Sequence, residues 1–187
     1  MSRIFLTLAI VSNSALLATL VLGWRIVDPG SLEPGVRNAV TWHLLTALAA
    51  ALLVLLVHAV VLTYFMGTGR WLEETCEAYQ LGAEPRAANI RLKYRVIPGM
   101  VVCILLVVLT GAFGAMADPA ANVHRPSAAN VHLGFAITTV LANLLVSWVE
   151  QRAITRNSAL VDAVVSRVGE IRQERGLDPP TTPESSG

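Results

Sequence analysis

The chain has 187 residues, of which 54% are hydrophobic and only 14% charged, with a net charge of +1. A soluble domain carries about a quarter of its residues as charges, so the composition argues against a water-soluble globule. The near-neutral charge also speaks against a basic surface for nucleic acid. The two cysteines, Cys76 and Cys103, have neither metal-site nor redox-motif spacing. They do not make a disulfide framework and read as one solvent-side thiol and one membrane-core thiol.

The first apolar run covers 4–27 and follows Arg3. It outlasts the apolar core of a signal peptide, about 7–15 residues, and is read as a retained first span. Asp28-Pro29-Gly30 breaks the helix, and Pro34 and Gly35 mark a short loop. The second span covers 38–66 and contains WHLLTALAAALLVLLVHAVVLTYF, long enough to cross a bilayer and carrying both His43 and His58. After Gly67-Thr68-Gly69, the helix-compatible segment WLEETCEAYQL extends the same rod. A turn around Gly82–Pro85 and a basic stretch lead into the third span, 96–116, with Pro98 expected in its first turns, where proline is best tolerated.

A connection containing Pro119, His124 and Pro126 precedes the fourth span, 128–149. Beyond it Leu160, Val164, Val168 and Ile171 recur at helical spacing. The expected division is a four-span membrane domain over 1–156, a cytoplasmic amphipathic helix over 157–176 and a disordered tail over 177–187. No internal repeat is evident.

The basic residues fall unevenly. Arg3, Arg70, Arg86, Arg91, Lys93, Arg95, Arg152, Arg156, Arg167, Arg172 and Arg175 lie on one side, against Arg25, Arg37 and Arg125 on the other. The positive-inside rule then predicts cytoplasmic termini and a multi-pass protein of a bacterial inner membrane. The expected fold class is an all-α membrane protein, a four-helix bundle with both termini inside and helical extensions into the cytoplasm. Its partners are the lipid bilayer and, through the extensions, a redox partner subunit or a second copy; no nucleic acid is expected.

Ionisable groups within spans are costly unless paired or used. His43 and His132 lie at similar depths in spans that enter from the same side, and His124 sits in the adjoining loop. On span four, His132, Thr139, Asn143, Glu150 and Asn157 fall near one line when advanced by about 100° per residue. Lipid disfavours such a stripe, so it is expected to face inward, with His58 opposite its lower half. Glu150 is expected to pair with Arg152 at the interface. Gly23 and the GAFGA segment beginning at Gly111 offer small residues near the level of the outer histidines.

Two histidines at one depth on separate spans are what a haem b held between spans two and four requires, His43 and His132 being its axial ligands. This arrangement resembles, in general form, the four-helix cytochrome b subunits that anchor respiratory oxidoreductases. The resemblance covers the four spans and the two histidines, and it implies electron transfer. A second reading gives His43, His132 and His124 to a single transition-metal ion without haem. A third makes the histidines hydrogen-bonding links between helices in a non-catalytic scaffold or accessory subunit. Hydrolytic metal motifs such as HExxH are absent.

Overall fold

The computed structural model describes residues 1–120, 122, 125 and 127–177; His124 and the tail from 178 onward lie outside the described residues. Among those described, four helices account for nearly all of the chain and no strand is present: α1 Ser2–Trp24, α2 Pro34–Tyr79, α3 Glu84–Ala117 and α4 Ala128–Glu174. Each is long and apolar enough to cross a membrane.

Local chemistry sets the helix ends. Pro34 stands in the first turn of α2 and a proline likewise opens α3, where the missing N–H would have no partner in any case. Asp28 closes the turn before α2 by accepting from the Gly30 N–H at 3.1 Å. The exit of α2 bends through Gln80 at φ 56°, with the Leu81 N–H returning to the Cys76 carbonyl at 2.9 Å. At 46 residues, α2 is about 69 Å long at 1.5 Å per residue, more than twice a hydrocarbon core of about 30 Å. Half of this helix therefore extends past any bilayer it crosses.

Pro98 lies deep inside α3 rather than in its first turns, because the helix begins at Glu84. Its missing N–H leaves the Tyr94 carbonyl without the usual intrahelical donor.

The surface is apolar where a soluble protein would be polar. Leu44, Leu48, Leu52, Val108, Leu141, Leu145 and Trp148 are all exposed, whereas Ser12, His58, Asn89, Thr139, Asn143, Ser147, Glu150 and Asn157 are buried. This inversion suits a chain solvated by lipid, where leucine is at ease outside and polar groups must find partners within. The helices pack as neighbours: α1 and α3 each lie against α2 and α4, and α2 and α4 touch across the middle. All four contribute to one apolar cluster that includes Phe5, Val61, Phe65, Val96, Met100 and Ile154.

Past this cluster the helical extensions continue to pack. Leu72, Cys76, Val164 and Ile171 are buried, and the Arg172 guanidinium donates to the Tyr79 hydroxyl at 3.2 Å. Glu73 pairs with Arg86 of α3 at 2.9 Å and Glu74 with Arg70 at 2.8 Å; the second is a surface pair worth little.

Cys76, in the extension of α2, is 5% exposed and so packed among these helices. Burial also pushes its thiol up from the ordinary range, because a thiolate is poorly solvated there. Maleimide should therefore modify folded protein slowly at neutral pH and faster only as the pH rises beyond the usual thiol range. Protein unfolded in SDS should react at the rate of a free cysteine. Equal rates before and after unfolding would contradict the packing of these extensions.

Candidate functional site: a paired histidine centre above a polar column

Near the end where the α1–α2 and α3–α4 connections lie, α2 and α4 bring two imidazoles together. The ring centroids of His43 and His132 are 6.3 Å apart and their planes are nearly perpendicular, at 84°. The two connections meet above them: a Cβ added to Gly30 would lie 3.7 Å from Pro119 Cγ.

Each ring is anchored in the same way by the preceding helix in the chain. His43 Nδ1 donates to the Thr19 carbonyl of α1 at 3.1 Å, and His132 Nδ1 donates to the Thr110 carbonyl of α3 at 2.9 Å. A carbonyl oxygen can only accept, so Nδ1 carries the proton in both rings. In the neutral tautomer Nε2 then holds the lone pair. A backbone carbonyl on one nitrogen that fixes the other for a metal is a recurrent support for ligating histidine.

A glycine one turn further along each supporting helix makes room for the ring. A Cβ at Gly23 would fall 2.7 Å from His43 Cε1, and one at Gly114 would fall 3.0 Å from His132 Cε1. The motif is thus repeated: Thr19 and Gly23 on α1 serve His43 of α2, while Thr110 and Gly114 on α3 serve His132 of α4. Sequence reasoning placed both glycines near the histidines but missed this correspondence. The signal was the twofold occurrence of Thr-x-x-x-Gly one helix ahead of a histidine.

Below the pair, a polar column follows the inner face of α4. Thr139 Oγ1 lies 2.8 Å from Thr110 Oγ1. Asn143 donates to Asn13 Oδ1 at 3.0 Å, and Asn13 donates in turn to Ser147 Oγ at 3.2 Å. His58 Nδ1 and Glu150 Oε1 are 2.8 Å apart, with 2% and 0% of these side chains exposed. The carboxylate therefore pairs with His58 rather than with Arg152, whose guanidinium lies 3.8 Å over the Trp148 ring. About 200° of helical rotation separates the two residues that closeness in sequence set side by side, so α4 turns Glu150 inward and Arg152 outward.

A further polar layer lies beyond the apolar cluster. Asn89 donates to Asn157 Oδ1 at 2.8 Å, and Asn157 donates to Thr68 Oγ1 at 2.9 Å. The structure thus brings together His43 with His132 and His58 with Glu150; it seats Thr139 and Asn143 between them. Among the described residues no cluster of three or more His, Cys, Asp or Glu side chains is arranged to hold a metal ion.

No known family model matches the chain, and no curated protein or solved structure is significantly similar to it.

Proposed function

We propose that the protein is a small multi-pass cytochrome b of a bacterial inner membrane, holding one haem b between α2 and α4 with His43 and His132 as axial ligands. Both termini and the helical extensions lie in the cytoplasm, as the basic residues favour. The observation that carries the proposal is the imidazole pair, each ring fixed through Nδ1 on a backbone carbonyl and backed by a glycine.

The donor set fits haem iron. With metal–nitrogen bonds of about 2 Å, two imidazoles on opposite sides of one ion have centroids roughly 6 Å apart. The 6.3 Å separation agrees. A pair of histidines also completes the coordination of an iron whose remaining positions a macrocycle occupies. A bare zinc ion takes four ligands, and the described residues offer no third donor grouped with these two. Haem supplies reversible one-electron chemistry. The chain supplies the rest: Thr19 and Thr110 set the tautomer and ring orientation, Gly23 and Gly114 admit the rings, and the exposed leucines keep the centre in lipid. The centre lies near one face, so the electron donor or acceptor approaches from that side.

An oxidised and then dithionite-reduced absorption spectrum of the detergent-purified protein, expressed with adequate haem supply, tests the proposal. A Soret band with sharp reduced α and β bands is expected; folded protein without them would refute it. Gly23→Leu should weaken those bands severely without loss of helicity, since the added side chain occupies the space of the His43 ring. Circular dichroism and the reduced spectrum of the same sample check both halves of this expectation.

A further inference from the structure

Among the described residues five side-chain atoms are buried and lack a hydrogen-bond partner: Ser12 Oγ, Asn143 Oδ1, His58 Nε2 and Glu150 Oε2 along the column, and Gln151 Oε1 beside it. Glu150 and Asn143 share one face of α4, two turns or about 10.5 Å apart, with Ser147 between them. Ser12 neighbours Asn13, which bonds both Asn143 and Ser147. An unsatisfied buried polar group costs about 1–3 kcal/mol. Four within about two turns of one column point to internal water, which settles where it finds 2–4 polar partners, as a typical range.

The column is asymmetric. Towards the histidine end, polar side chains recur at nearly every turn of α4 from Glu150 through Ser147 and Asn143 to Thr139, which bonds Thr110 of α3. Towards the other end, Ala153 and Ile154 with Val61, Phe65, Val96 and Met100 form a packed apolar layer. Beyond it Asn157, Asn89 and Thr68 resume the polar pattern, while at the seam of α1 and α4 Gln151 donates to Ser2 Oγ at 2.6 Å.

We propose that the His58–Glu150 couple is a proton-binding site, hydrated internally and in exchange with the histidine end of the protein, while the apolar layer seals it from the opposite end. In the deprotonated form the neutral imidazole donates through Nδ1 to the Glu150 carboxylate. A proton arriving from bulk water along the column binds at Glu150 Oε2, or equivalently leaves an imidazolium against the carboxylate, and the couple becomes neutral overall. Around it, α1 contributes the neutral Ser12 and Asn13, α2 His58 itself, α3 Cys103 within electrostatic reach of the carboxylate, and α4 Ser147. The nearest guanidinium on α4, that of Arg152, is engaged on Trp148.

Infrared difference spectroscopy on the full chain in oriented lipid vesicles reads the carboxyl group directly. It does not depend on haem, so its failure is separate from failure of the cytochrome reading. Orientation is set independently by protease cleavage of the C-terminal tail. A pH step on the histidine side should give a carboxyl band rapidly, and the same step on the tail side should give it slowly. The band should be lost in Glu150→Gln and shifted in Glu150→Asp, which keeps the acid should the first variant fold poorly. Ile154→Ser should speed the response from the tail side. A band that survives unchanged in both Glu150 variants, or a faster response from the tail side of the native chain, would overturn the proposal.

Discussion

Replacing His132 by alanine is expected to remove the low-spin haem spectrum completely, and His43→Ala to do the same. In the proposed cytochrome either substitution would leave the haem one ligand short, and among the described residues the next polar side chain along α4, Thr139, lies two turns away and bonds Thr110. The two variants should behave alike because the supports are alike, a carbonyl on Nδ1 and a glycine behind each ring. The perpendicular ring planes add a second signature. With haem held between them, imidazoles at 84° would donate to different iron π orbitals, so the oxidised native protein should give a highly anisotropic low-spin electron paramagnetic resonance signal. Parallel planes would give a rhombic one. A full optical spectrum in either alanine variant would exclude that histidine as a required ligand.

The second large effect is on stability. Glu150→Ala should destabilise the fold by about 1–3 kcal/mol, the cost of leaving a buried hydrogen-bond donor, the His58 Nδ1–H, without its partner. The carboxylate is wholly buried and is bonded to an equally buried imidazole, so its loss strands His58 away from water. Glu150→Gln keeps an acceptor oxygen beside Nδ1 and should cost less. Unfolding in increasing SDS, followed by circular dichroism, distinguishes the two. A change below about 1 kcal/mol for alanine, typical of exposed pairs, would contradict the burial described.

Four helices long and apolar enough to cross a membrane were legible because length and apolarity are written into consecutive residues. The meeting of His43 and His132 was legible by counting, since two helices entering from the same side at 1.5 Å per residue reach equal depth together. The supports of these rings were not. Thr19 and Thr110 act through backbone carbonyls, which every residue possesses, so side-chain identity carries no sign of the role. The partner of Glu150 was missed for another reason: closeness in sequence favoured Arg152, whereas helical phase turns that side chain outward over Trp148. The helix-compatible basic stretch before the third span belongs to the same helix, which Glu84 and the proline beside it open.

The central claim is one haem between one pair of histidines. Its most direct measurement is haem content per chain in purified native protein, by pyridine haemochrome assay against quantitative amino-acid analysis. The account predicts one b-type haem per chain, falling to none in His132→Ala. Folded native protein without haem, or with two haems per chain, would contradict it.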